Sequence, residues 1–181
     1  MITDLATALE QSDILFDEEE IDDAIAAIAE QMHDDFADGE RPVFLTIMHG
    51  GMLFASRLAL EMDMDMEFDY LHATRYRGAL TGSGLAWLHR PATPLEGRHV
   101  ILADVILDEG HTLKAVRDWC EDQGAARITI AVLCVKDHDR RIEGVEADYV
   151  ALEVPDRYVY GYGMDFHEQG RNLPGIYAFG N

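Results

Sequence analysis

The apolar positions Ile21, Ala24, Ile25, Ile28, Met32 and Phe36 recur at helical spacing, behind a first turn of Asp17, Glu18, Glu19 and Glu20. Asp17 as cap, with Glu20 three residues on, predicts a capping box, because each side chain satisfies an amide that the first turn leaves unpaired. Gly39 closes the segment. Pro42 to Met48 is then apolar over too few residues for a helix, which predicts a strand buried on both faces, as parallel sheets require. The loop His49, Gly50, Gly51 leads into a helix from Met52 to about Glu61. Met66, Phe68 and Tyr70 alternate with Glu67 and Asp69, the period of a half-buried strand over Met66 to Ala73. Further on, strands Val100 to Leu107 and Ile128 to Val135 flank a helix from Leu113 to Gln123, stopped by Gly124, and a last strand runs from Asp148 to Val154.

Alternating strands and helices of these lengths predict an α/β fold with a mainly parallel twisted sheet flanked by helices. A right-handed crossover then places the loop Asp108 to Thr112 at the carboxyl edge of the sheet, where open α/β folds bind ligands. From Arg75 to about Gly97 the chain is rich in Gly, Thr, Ser and Pro, and an unstructured stretch of that length predicts a lid or binding loop. No linker divides the 181 residues, so one domain over 1–181 is expected.

Composition narrows the partners. Asp and Glu number 35 against 14 Lys and Arg, a net charge of −21, which argues against nucleic acid and anionic membrane as partners. No run of 18 apolar residues appears, and Met1 to Leu5 carries no basic stretch ahead of an apolar one, so neither a membrane span nor a secretory signal is expected. Cys120 and Cys134 lack metal-ligand spacing and read as buried thiols of a cytoplasmic protein. A polyanionic substrate must then be met by local cations, bound metal and backbone dipoles, because the global field repels it.

Val100 to Thr112 runs an apolar strand straight into Asp108, Glu109, Gly110, His111 and Thr112, with an amphipathic helix at once behind. Such a helix start offers unpaired amides and the positive end of a dipole, Gly110 lets the main chain approach an anion, and Thr112 adds a hydroxyl. The spacing and Lys of a nucleotide-triphosphatase loop are absent, as is a dinucleotide GxGxxG. The segment resembles the phosphoribosyl-diphosphate (PRPP) loop of purine phosphoribosyltransferases. The tail Val154 to Pro174 is similar to the C-terminal signature of hypoxanthine-guanine phosphoribosyltransferases, with Tyr158, Asp165 and Arg171 in matching register. Lys136 after its strand and the loop His49, Gly50, Gly51 agree in order, so the resemblance spans nearly the whole chain.

That resemblance implies a type I phosphoribosyltransferase fold with a small hood formed by terminal segments, including about 155–181, and a flexible lid loop at about 75–97. It implies transfer of the 5-phosphoribosyl group of PRPP to N9 of hypoxanthine or guanine, giving IMP or GMP and pyrophosphate with Mg²⁺ in purine salvage. Asp108 matches the catalytic acid near purine N7. Asp104, Asp108, Glu109, Gly110, His111, Thr112, His49, Gly50 and Arg171 match the PRPP site, with the Glu109 carboxylate turned away from the phosphate. Lys136, Tyr158, Val159 and Asp165 match the purine site: Lys136 donates to the 6-oxo group, Tyr158 stacks on the base, and Val159 offers backbone groups. Asp104 and Asp165 match metal-binding carboxylates, Arg75 and Tyr76 the lid, and Arg140 a supporting arginine. In relatives a cis peptide is placed at the pair corresponding to His49 and Gly50. The partners implied are PRPP and 6-oxopurines, and a homo-oligomer, dimer or tetramer.

One departure stands out. Relatives carry two adjacent acids where this chain has Asp104 and Val105, and a missing charged hydrogen bond is worth roughly 1.5 to 3 kcal/mol. On that count Val105 weakens PRPP binding, and a low-turnover nucleotide-binding regulator stands as one alternative, favoured if Val105→Asp forms nucleotide from PRPP and hypoxanthine where the wild type forms none. A xanthine-tolerant enzyme is the other.

Overall fold

The computed structural model describes residues 4–36, 41–75 and 85–180. In chain order its elements are α1 Leu5–Glu10, β1 Ser12–Phe16, α2 Glu18–Asp35, β2 Val43–Ile47, α3 Met52–Glu61, β3 Glu67–Arg75, β4 Leu85–His89, β5 His99–Leu107, α4 His111–Asp122, β6 Arg127–Asp137, β7 Tyr149–Pro155, β8 Tyr158–Tyr160 and β9 Ile176–Phe179. Six strands form the main sheet in the order β4-β3-β2-β5-β6-β7, with every pairing parallel except β3 with β4. The central strands β2 and β5 are buried on both faces, while Phe68 and Tyr70 of β3 and Leu88 of β4 are exposed, and strand periodicity explains the central burial. Phe44 and Ile101 pack toward α2 and α3 with Ile25, Phe54 and Leu58, while their neighbours Leu45 and Leu102 pack toward α4 with Leu113, Val116 and Cys120. This is the α/β architecture expected from the apolar runs.

The capping box forms as anticipated: Glu20 N–H donates to Asp17 Oδ1 at 2.9 Å and Asp17 N–H to Glu20 Oε2 at 3.0 Å. Gly51 begins α3 where a Cβ would lie 2.7 Å from the Ile47 carbonyl oxygen and 2.8 Å from that of Ala103, so this helix sits against the ends of β2 and β5 only because residue 51 has no side chain. Both cysteines are free and buried, and burial pushes each thiol up to about 12, which leaves them inert near neutral pH.

The loop expected from Arg75 to Gly97 is partly strand. β3 continues to Arg75, and β4 returns antiparallel beside it with Ala73 opposite Trp87 and Arg75 opposite Leu85. Trp87 gives the reason: its ring meets Trp119 of α4 at 5.0 Å, and the Arg90 guanidinium lies 5.1 Å from its centroid, so β4 is anchored by aromatic burial that its polar surroundings in sequence conceal. Tyr76 and the rest of the expected lid tip lie outside the described residues. α4 begins at His111, two residues before the expected Leu113.

The terminal segments build a second, three-stranded sheet in the order β1-β9-β8, all antiparallel, at the carboxyl edge of the main one. Tyr160 and Phe166 fill its small core beneath Ala8 of α1. This is the hood. Among the described residues no helix is long and apolar enough to cross a membrane.

Candidate functional site

The loop after β5 owes its shape to Gly110. Its φ is +88°, a left-handed conformation, and a Cβ would stand 2.5 Å from Val145 Cγ1, so only glycine fits. α4 starts at the next residue, and no side chain caps it, which leaves first-turn amides facing a cavity of about 560 Å³. His49, Gly50, Asp104, Asp108, Glu109, Gly110, His111, Thr112 and Arg171 all line this cavity, so the complete group expected at a phosphoribosyl-diphosphate site is gathered in one place. The Glu109 carboxylate lies 3.4 Å from His111 Nε2.

Asp108 ends the strand with its side chain 42% exposed to this space and both oxygens engaged. Lys136 Nζ donates to Oδ2 at 2.8 Å, and His138 Nε2 lies 2.6 Å from Oδ1. Burial pushes the Asp108 carboxyl up, but the hydrogen bonds from Lys136 and His138, with the Lys136 charge, outweigh it and hold the group below the ordinary carboxylate range. Asp108 is therefore an ionised acceptor near neutral pH. His138 was not legible as a site residue, because its segment reads as a charged loop. The one available signal was its spacing: two residues after Lys136, at the end of a strand, it falls on the same side.

Asp104 also faces the cavity, and its Oδ1 accepts the Val105 amide at 2.7 Å. Burial pushes this carboxyl up to about 7. A carboxyl raised in this way binds its proton more tightly folded than unfolded, so folding stability is greatest below the ordinary carboxylate range and declines as pH rises toward about 7. Asp104→Asn should accordingly raise stability by about 2 kcal/mol in mildly alkaline buffer, with the gain vanishing in acid. Denaturant unfolding of both proteins across pH checks this.

Val105 does not share that environment. It is 4% exposed and belongs to the core facing α2 and α3; a Cβ on Gly50 would lie 2.8 Å from Val105 Cγ1, and one on Gly163 3.5 Å from Cγ2. Strand alternation turns it away from Asp104, so Val105 is a packing residue that joins the loop before α3 to the hood. Val105→Asp should lower stability by about 3 kcal/mol, through a carboxylate buried among apolar groups, and should not raise turnover; thermal unfolding and initial rates measured together decide this. The same packing explains why residue 50 is glycine. The cis peptide lies one bond earlier than expected, between Met48 and His49.

Opposite the phosphate loop, the rings of His49 and His72 meet at 4.4 Å. His72, a cavity residue not singled out from the sequence, has its pKa lowered by burial, by His49 and by Arg171. Arg171 donates to the Gly163 carbonyl at 2.8 Å and pairs with Asp165 Oδ1 at 2.8 Å. The expected purine residues lie beside the cavity and are tied to it through partners: Lys136 through Asp108, Asp165 through Arg171. Tyr158, 46% exposed, stands edge-on to Phe166 at 5.4 Å and donates to the Asp165 carbonyl at 3.3 Å. Val159 is 8% exposed, its side chain in the core. Arg140 is held at the surface by a two-pronged pair with Asp156, at 2.6 and 2.7 Å.

Four carboxylate residues and one arginine line the cavity among the described residues, alongside three histidines. A diphosphate there requires an added cation. No group of three or more His, Cys, Asp or Glu is assembled as a metal cage among the described residues, and Mg²⁺ needs none, since it takes one or two carboxylates together with water and substrate oxygens. Asp104 fits that role. Asp165 fits less well, with Oδ1 paired to Arg171 and Oδ2 accepting the Glu168 amide at 2.9 Å.

Residues 11–167 match the phosphoribosyl transferase domain. The chain is 35% identical over 164 residues to a hypoxanthine-guanine phosphoribosyltransferase of Streptococcus pneumoniae, covering 90% of each, and 30% identical over 163 residues to a hypoxanthine-guanine-xanthine phosphoribosyltransferase of Tritrichomonas foetus, covering 90% of this chain and 88% of the other. Among solved structures it is similar to a hypoxanthine phosphoribosyltransferase of Staphylococcus aureus, with a TM-score of 0.88 at 26% identity over 99% of this chain and 97% of the other.

Proposed function

The chain belongs to the phosphoribosyltransferase family, and on that premise we propose that it transfers the 5-phosphoribosyl group of PRPP to N9 of hypoxanthine or guanine, a purine-salvage reaction that releases pyrophosphate. The observation that carries this reading is the Asp108–Lys136 pair, 2.8 Å long, at the rim of an uncapped helix start. One group recognises a 6-oxopurine and the other accepts its proton, directly beside a phosphate cradle.

In this reading the 5-phosphate lies on the amides of Gly110 to Thr112, with the Thr112 hydroxyl, in the positive field at the start of α4. Asp104 meets the ribose hydroxyls and would hold Mg²⁺, which would supply positive charge against the diphosphate; Asp165 would be a second carboxylate only if its tie to Arg171 opened. His49, His72 and Arg171 border the leaving diphosphate. Lys136 has three donors and no acceptor, so it bonds the purine 6-oxo group while keeping Asp108. Asp108, ionised, takes up the proton from the purine ring as N9 bonds to the ribose carbon, and Tyr158 covers the base. The protein acts in the cytoplasm as a homo-oligomer.

Initial rates with hypoxanthine, guanine, xanthine and adenine, each with PRPP and with or without Mg²⁺, test the proposal. Metal-dependent IMP and GMP formation supports it, and the absence of any nucleotide product overturns it. Xanthine turnover is a second reading, favoured by the likeness to the Tritrichomonas foetus protein, and XMP formation in the same assay decides it.

A further inference from the structure

His138 makes a shorter contact with Asp108 than Lys136 does, 2.6 Å against 2.8 Å, from a side chain only 3% exposed. Its other nitrogen identifies the tautomer. Nδ1 accepts the main-chain N–H of Arg140 at 3.0 Å, and a ring nitrogen that accepts an N–H carries no proton of its own. The ring hydrogen is thereby assigned to Nε2, where it is aimed at Asp108 Oδ1. Arg140 is in turn clamped by both oxygens of Asp156, so the turn that supplies the amide is fixed to the segment ahead of β8.

A carboxylate tied through one oxygen can rotate about its Cβ–Cγ bond. Tied through both oxygens, by donors on the same strand end, it cannot. Each oxygen then keeps acceptor capacity beyond that one donor, on a residue that lines the cavity. The charged and titratable groups around the ring are Asp108 and Glu109 on the loop after β5, Lys136 on β6, Arg140 on the following turn and Asp156 before β8. A hydrogen on Nδ1 would face the Arg140 N–H donor to donor, so Nε2 is the nitrogen left to donate to Asp108.

We propose that His138 is a positioning residue of the transfer reaction: a buried imidazole, held in its Nε2–H tautomer by the Arg140 amide, that fixes the plane of the Asp108 carboxylate against the purine. This rests on Asp108 acting as proposed above. Nothing in the tie is needed for PRPP to bind, so the effect falls on the chemical step.

Two variants and one spectrum test it. His138→Phe keeps a planar ring and removes the donor, whereas His138→Gln places an amide N–H near the position of Nε2. The Phe variant should lose about tenfold to a hundredfold in kcat, the value of one hydrogen bond to a charged group, with the KM for PRPP little changed. The acid limb of its pH–rate profile should move to higher pH, because Asp108 has lost a bond to its charged form. The Gln variant should recover most of both. Equal losses in the two variants with an unmoved acid limb, or no loss in either, would overturn the proposal. Independently of turnover, ¹⁵N NMR of the His138 ring should show Nε2 protonated and Nδ1 bare near neutral pH, and the Asp108 carboxyl of the Phe variant should titrate higher than in the wild type. A ring protonated on Nδ1 alone contradicts the proposal even in an active enzyme. The Nε2–H tautomer and a displaced Asp108 titration in a chain that forms no nucleotide support the tie while rejecting the transferase reading.

Discussion

Asp108→Asn is expected to lower kcat by a factor on the order of 10² or more while leaving the KM for PRPP within a few-fold. The substitution preserves shape and removes charge. Asp108 enters the reaction ionised, because the donors on its two oxygens overcome the effect of burial. An amide offers one acceptor oxygen where the carboxylate offers two, so either Lys136 or His138 would face an NH₂ group, donor against donor. The ring proton of the purine would then have no base within reach as N9 bonds to ribose. The phosphate cradle, built from the Gly110, His111 and Thr112 main chain, is untouched, which is why binding should survive. Single-turnover rates with hypoxanthine measure the chemical step directly, and an unchanged rate removes Asp108 from the mechanism.

Lys136→Gln is expected to have the second largest effect, on base choice as well as rate. An ammonium donates only, so adenine, whose 6-amino group also donates, meets it with an unsatisfied pair that can discriminate by as much as roughly 10⁴. An amide both donates and accepts, and adenine should become a detectable substrate. Hypoxanthine should lose about 10- to 150-fold in kcat/KM, the value of a charged hydrogen bond. A further effect follows from the 2.8 Å bond to Asp108: without Lys136 the carboxyl loses one of the two donors that hold it ionised, so the acid limb of the pH–rate profile should move up. Competition between adenine and hypoxanthine at fixed PRPP measures the first effect. If adenine remains fully excluded, the 6-oxo group is read by something other than Lys136.

The main sheet was legible because parallel strands bury both faces, and Val43–Ile47 and His99–Leu107 therefore appear as apolar runs that no surface strand would carry. The hood was legible only through the family resemblance. Its strands are short, β8 three residues and β9 four, and β1 pairs Ser12 with Phe179 across nearly the whole chain, so local periodicity carries little of the signal. β4 was hidden for a related reason: Trp87 finds its partner on α4, thirty-odd positions away, and nothing nearby in sequence announces it.

The site divides along the same line. Gly110 and its neighbours could be read directly, because a phosphate cradle is a local object made of one turn and one helix start. His138 and His72 could not, because each acquires its role from a side chain on a loop after another strand, Asp108 and His49 respectively. Val105 shows the converse. Adjacency in sequence suggests one acidic pair, yet Asp104 faces the cavity and Val105 the core. A residue's neighbour in sequence is not its neighbour in space when the side chains alternate.

The most direct measurement is a crystal structure of the chain with bound GMP or IMP. The account predicts the 5′-phosphate on the Gly110, His111 and Thr112 amides, the purine 6-oxo group in hydrogen-bond reach of Lys136 Nζ, and N7 beside Asp108. Nucleotide density with the phosphate away from that helix start, or with the base out of reach of Lys136, would contradict it.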